Sequence, residues 1–297
     1  MITPRSLLFV PANRPQYLPK AASSGADAVI LDLEDSVPDE EKTRARHKLA
    51  ANVAALRELE PDLQVHVRVN AWGDPGAADD LAAVVEANAD VVYLPKSIGP
   101  EQALRAAHHL ELLDDLHRKS TPTLIEVALE QAGSLASCRE IGEVHDRVIA
   151  VIAAAAKNAD VARSVGFRWT DSGLETLYFR SRAVLAARAA GVAPIGGLWQ
   201  SVPDLDGFRA FAEANRDIGY HGMIVIHPSH VPIANDVFAL QESEVAWFEG
   251  LVQAYDAAAA EGRGAARFDG EMVDLAHAVT AREQLAAHYA RMGRKGT

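Results

Sequence analysis

Gly25-Ala26-Asp27-Ala28-Val29-Ile30-Leu31-Asp32-Leu33-Glu34-Asp35-Ser36-Val37 is the stretch on which the reading of the chain turns. Asp27 to Leu33 is a short run rich in Val, Ile and Leu, the length of one buried strand. It stops at the polar pair Glu34-Asp35, and from Asp39 to Leu59 apolar residues recur at helical spacing. The same change of period repeats along the chain. Strands are expected at Ser6 to Val10, Gln64 to Val69, Val91 to Leu94, Thr123 to Leu129, Arg147 to Ala154, Ala193 to Leu198 and Gly222 to Ile226. Helical patterns fall between them at Pro15 to Ser24, Ala77 to Ala87, Pro100 to Leu116, Ser172 to Ala190 and Asp206 to Ile218. Alternations of this number and length fit a closed parallel (β/α)8 barrel, the TIM-barrel member of the α/β class. An open doubly wound sheet would want a Gly-rich turn after its first strand, and Val10-Pro11-Ala12-Asn13 supplies none.

The barrel is expected over residues 1–238, with a C-terminal helical extension over 239–297. Val231 to Phe238 reads as the connection leading to it; within the extension Glu242 to Glu261 reads as a helix, Gly262-Arg263-Gly264 as a turn, and the last helix runs to about Ala290. The extension is read as an appendage contributing to the active site or to an oligomer interface, without a core of its own. Its tail, 292–297, is read as frayed.

Composition narrows the function. Lys and Arg number 29 against 41 Asp and Glu, a formal charge of −12, and 49% of residues are hydrophobic. That balance can bury a large core but offers no basic patch for nucleic acid. No apolar run approaches the roughly 20 residues of a membrane span. The first residues, Met1-Ile2-Thr3-Pro4-Arg5-Ser6, do not resemble a secretory signal, so a cytoplasmic protein is expected. The single cysteine, Cys138, excludes an intrachain disulfide and a thiolate zinc cluster, and reads as a small buried thiol.

Barrel chemistry sits at the carboxyl ends of the strands, so the first polar residues after each run are the ones to inspect. They are Glu34-Asp35, Arg68 and Asn70, Lys96, Glu130, then Lys157, Asn158 and Asp160, then Gln200 and His227. Acids from strands two, five and six converge with cations from strands three and four, the composition of a divalent-metal site that takes an anion. All-oxygen ligation suits Mg2+ (or Mn2+) rather than zinc. Other roles stay open at this point: Glu34-Asp35 as a cap or ion pair, Lys96 as a loop charge, His227 as a structural histidine, and Glu126 in place of Glu130 as the ligand.

These residues stand in runs that together resemble the citrate lyase β-subunit-like group of the HpcH/HpaI aldolase superfamily, which includes malyl-CoA and citramalyl-CoA lyases. The runs are Arg5 to Asn13, Gly25 to Val37, Glu41 to Arg46, Val67-Arg68-Val69-Asn70, Leu94-Pro95-Lys96, Leu177 to Arg182 and Ile226-His227-Pro228. The resemblance covers nearly the whole chain. It implies a TIM barrel, usually in a homotrimer, with Mg2+ held by a Glu after strand five and an Asp after strand six, and an Arg after strand three that holds the substrate carboxylate. Arg68 takes the last role. Glu130, eleven residues before Ile141, fits the family spacing better than Glu126, and Asp160, six before Gly166, fits the second ligand. Lys157-Asn158-Ala159 replaces the Gly-bearing turn that the family pattern places before the Asp.

The C-terminal run Gly270-Glu271-Met272-Val273-Asp274 resembles a segment whose Asp reaches a neighbouring subunit's active site, which makes Asp274 a catalytic acid/base candidate in trans, with an N-cap as its alternative. The implied partners are a CoA thioester and a small 2-oxo acid, with Arg68 and Lys96 on the acid and Arg14 and Lys20 near the CoA phosphates. The implied reaction is cleavage or formation of the carbon–carbon bond of a 3-hydroxyacyl-CoA. Malyl-CoA thioester hydrolysis, citryl-thioester lysis, aldol cleavage without CoA, and CoA-ester binding without turnover are the alternatives.

Overall fold

The computed structural model describes residues 2–170 and 172–294; the end of the tail read as frayed, 295–297, lies outside them. Eight parallel strands close into a barrel in sequence order. They are β1 (Ser6–Pro11), β2 (Ala28–Asp32), β3 (Gln64–Arg68), β4 (Val91–Leu94), β5 (Leu124–Ala128), β6 (Val148–Ala153), β7 (Ala193–Gly196) and β8 (Gly222–Val225). Every strand falls inside or within one residue of its sequence expectation. Closure is made by β1 against β8, with Leu7 beside Ile224.

Alternation along each strand sends every second side chain inward. Leu7, Ala28, Ile30, Ala128, Ala150, Ile152, Ile195 and Ile224 fill the interior with apolar volume, each large aliphatic contributing about 1.5–3 kcal/mol on burial. Nearer the carboxyl end the row changes character. Asp32 is registered with Arg68, Arg68 with Tyr93, and Tyr93 with Glu126, so four polar side chains line up across β2 to β5. At the same end β7 approaches β6 so closely that a Cβ on Gly197 would lie 2.5 Å from the Ala155 nitrogen. Only glycine fits there.

Three short helices escape the period analysis: Ala132–Ala136, Cys138–Glu143 and Asp160–Val165. A fourth element corrects an expectation. Val231–Val237, read as a connection, is a helix, because Pro232 stands in its first turn, where the missing N–H costs nothing. Cys138 is buried, as expected of an inert thiol.

Residues from Phe238 onward form a second compact unit, distinct from the unit 3–237. It holds the helix Glu242–Ala260, a two-stranded antiparallel hairpin of β9 (Ala265–Phe268) and β10 (Glu271–Asp274), and the helix Leu275–Arg294. The extension is therefore not wholly helical. Asp269 and Gly270, with φ of 49° and 84°, make the left-handed two-residue turn that hairpins favour. Leu251, Ala258, Ala266, Val273, Ala278 and Ala281 pack into a small core, so the expectation of an appendage without a core is corrected.

Candidate active site

Arg68 ends β3 and points into the mouth. Its Nε and Nη2 donate to the two Asp32 oxygens at 2.6 and 2.7 Å, and Nη1 lies 3.2 Å from Glu34 Oε2. The guanidinium also stacks over Phe9, 4.7 Å from the ring centroid. Held on one edge by Asp32, with Nη1 near Glu34 and 3.9 Å from Asp35 Oδ2, it keeps N–H groups beyond those bonded to Asp32. Burial works against both charges of the Asp32–Arg68 pair. Their mutual hydrogen bonds and attraction outweigh it, holding the Asp32 carboxyl below its ordinary value and the guanidinium above its own.

Glu34 is buried between Arg68 and Lys96, whose Nζ lies 2.7 Å from Glu34 Oε1 and 2.8 Å from Asp35 Oδ1. Burial nevertheless pushes the Glu34 carboxyl up to about 7 against the pull of Arg68 and Lys96. Lys96, expected to bind substrate, thus has its ammonium engaged by two carboxylates of this chain.

Glu130 follows β5. Its Oε2 accepts the Lys96 backbone N–H at 3.1 Å. Burial raises its carboxyl, the Lys96 amide and Arg68 pull it down, and the charge of Asp160 raises it again. Asp160 opens its helix after β6 and pairs with Arg163. The turn before it shows how the missing glycine is replaced: Asn158 takes φ 58°, the left-handed conformation that Asn tolerates best after Gly. Lys157 is exposed. Asp32, Glu34 and Asp35 face Arg68 and Lys96, Glu130 feels the charges of both, and Asp160 pairs with Arg163. Two hard carboxylates that repel one another in an acid-rich mouth suit a divalent oxygen-seeking cation, so Glu130 and Asp160 fit Mg2+.

Glu126, the other acid of β5, sits deeper. It is 1% exposed and its Oε1 lies 3.0 Å from His66 Nδ1, a buried pair beneath the mouth. Asn70 is structural too, donating to Leu33 O and to Asp80, which also holds Arg46. His227 Nδ1 accepts the Ser229 N–H at the start of a short 3-10 helix. Arg14 and Lys20 are exposed after β1. Asp274, in the C-terminal unit, caps its helix: Oδ1 accepts from the Ala276 N–H at 3.0 Å and lies 2.7 Å from His277 Nδ1. Those hydrogen bonds hold it below the usual carboxylate range.

Sequence reading missed Asp32, Phe9 and Tyr93. The signal was phase: Ala28, Ile30 and Asp32 share the inward face, so an acid closing that series had to reach the mouth. A further cluster, His108, Glu111 and His145, has ligand atoms within 4.8 Å of one another. However, His145 Nδ1 accepts the Arg147 N–H, which leaves Nε2 to carry the proton toward Glu111 at 3.2 Å. With Nδ1 taken by a backbone N–H, His145 offers only its other nitrogen, which already faces Glu111.

A closed parallel barrel whose mouth joins paired carboxylates to one fixed guanidinium has the architecture of aldolase- and lyase-type barrel enzymes. Residues 5–228 match the HpcH/HpaI aldolase/citrate lyase family, and the chain belongs to it. It is 37% identical over 272 residues to a citrate lyase subunit beta-like protein of Deinococcus radiodurans, covering 91% of this chain and 92% of that one. It is 31% identical to a (3S)-malyl-CoA thioesterase of Cereibacter sphaeroides, covering 95% and 93%. Among solved structures, CitE from Mycobacterium tuberculosis in complex with magnesium, acetoacetate and coenzyme A superposes with a TM-score of 0.74 at 26% identity, covering 97% of this chain and 98% of that one. Among the described residues, no helix is long and apolar enough to cross a membrane.

Proposed function

We propose that this chain cleaves or forms the carbon–carbon bond between a 2-oxo acid and the enolate carbon of an acyl-CoA, acting on a 3-hydroxyacyl-CoA such as malyl-CoA or citramalyl-CoA. The observation that carries this reading is Glu130, pushed up by burial and by the charge of Asp160, in the same mouth as an Arg68 that keeps N–H groups beyond those bonded to Asp32. Glu130 and Asp160 would hold Mg2+ (or Mn2+), which when bound supplies Lewis acidity toward the oxo-acid oxygens. Arg68 neutralises the substrate carboxylate and fixes its plane, and Asp32 and Glu34 fix the guanidinium. In the lytic direction a base takes the 3-hydroxyl proton, the C2–C3 bond breaks, its electron pair passes to the thioester as an enolate, and C2 takes up a proton. Asp274 of a neighbouring subunit is assigned that last proton, which requires a homo-oligomer, in our reading a trimer. Arg14 and Lys20 are assigned to the CoA phosphates, and the cytoplasm is the expected location.

Incubating the protein with malyl-CoA and citramalyl-CoA, with and without Mg2+, tests the reading. Metal-dependent release of glyoxylate or pyruvate is expected, and no oxo acid from either ester would overturn it. The thioesterase relatives favour a second reading, hydrolysis of malyl-CoA. Its products are free malate and CoA, so one chromatogram separates the two.

A further inference from the structure

Lys96 touches both halves of the mouth, and it does so from a backbone conformation that side-chain-bearing residues rarely adopt. It follows Leu94-Pro95 at the end of β4 with φ 51°, in the left-handed region. In that conformation its backbone N–H donates to Glu130 Oε2 at 3.1 Å. Its ammonium turns to the other side, 2.7 Å from Glu34 Oε1, and Glu34 Oε2 is 3.2 Å from Arg68 Nη1. A non-glycine residue kept in a sparsely populated conformation at a mouth marks a geometry fixed by its surroundings. Here the surroundings are a carboxylate on each side.

We propose that Lys96 is a positioning residue, not a substrate ligand: its amide orients the metal-binding carboxylate Glu130, and its ammonium holds Glu34 against Arg68. The two arms have different requirements. The amide arm needs the left-handed backbone but no side chain. The ammonium arm needs the charge. Glycine at 96 keeps the first and deletes the second, whereas valine resists the left-handed conformation and deletes both.

The inference rests on the reading of Glu130 and Arg68 given under Proposed function, so its test includes a measurement that needs neither metal nor substrate. Mn2+ affinity is measured by electron paramagnetic resonance without substrate, and pyruvate and glyoxylate affinity by calorimetry with Mn2+ present. Lys96→Gly is expected to bind Mn2+ within about threefold of wild type while losing about tenfold or more in oxo-acid affinity. Lys96→Val is expected to lose about tenfold or more in Mn2+ affinity, the size of effect that follows loss of a group orienting a metal ligand. An unchanged oxo-acid affinity in Lys96→Gly, or an unchanged Mn2+ affinity in a folded Lys96→Val, would overturn the assignment.

The third measurement is a double-mutant cycle on urea unfolding of the ligand-free protein, pairing Lys96→Met with Glu34→Gln. Non-additivity of at least about threefold in the unfolding constant supports the Lys96–Glu34 link, and additivity overturns it. If wild type takes up neither Mn2+ nor oxo acid, the lyase reading fails, and the cycle alone then decides whether Lys96 braces the mouth.

Discussion

Two acids stand four residues apart on and just beyond the same strand, and they live in opposite worlds. Glu126 is sealed inside the barrel against His66, its carboxyl hydrogen-bonded to that ring 3.0 Å away. Glu130 emerges at the mouth, where one amide and distant cations leave the Asp160 repulsion in place. Residue type does not separate them, since both are glutamates. What separates them is whether a neighbour satisfies the carboxyl, and on the reading proposed above that gives one a structural part and the other a metal-binding part.

The contrast breaks most visibly at the mouth. Glu130→Gln and Asp160→Asn are each expected to abolish metal-dependent turnover, a fall of about a thousandfold or more, with unfolding midpoints near wild type; rate assays beside urea melts check this. Glu126→Leu is expected to give the reverse. Leaving His66 without its hydrogen-bond partner costs about 1–3 kcal/mol of stability, while Mn2+ affinity stays put, and replacing both residues by aliphatics restores much of the loss. Should Glu126→Leu lose metal affinity instead, the division between the two acids fails. Arg68→Lys keeps the charge but not the planar fork, and oxo-acid affinity is expected to drop about a hundredfold by calorimetry.

A subtler comparison concerns Glu34, whose folded carboxyl titrates at about 7 against an ordinary 4.5. Between those values the folded chain binds a proton that the unfolded chain does not. Stability contributed by that proton is therefore full below about 4.5 and lost as pH rises through about 7. Relative to Glu34→Gln, which cannot titrate, wild type should lose about 1–3 kcal/mol across that window. Paired urea melts at several pH values read the difference, and parallel curves would contradict it.

Much of this was legible from residues alone. The strands announced themselves because each is a compact aliphatic run ended by a polar residue, while the choice of Glu130 over Glu126 and of Asp160 came from the family resemblance. The helices at 132–143 were not legible, since Gly133, Ser134 and Ser137 break the apolar period before a turn completes. The hairpin at 265–274 carried its signal in Asp269-Gly270, overlooked because its strands are only four residues each. The Lys157-Asn158-Ala159 departure looked like a lesion in sequence. In three dimensions Asn158 adopts the left-handed turn that a glycine would serve. Asp32 was hidden by its run, which reads as pure strand until the inward phase is followed to its last residue.

The Asp32–Arg68 pairing reaches beyond recognition of a ligand. The two residues are opposite one another in the β2–β3 register and also grip each other at two points. Sliding β3 by one position would swing Arg68 and His66 to the outside of the stave and strand Asp32 without a counterion. The same bond that orients the guanidinium therefore keys the stagger of the barrel, so a chain that closes out of step loses a buried ion pair and the aim of Arg68 together.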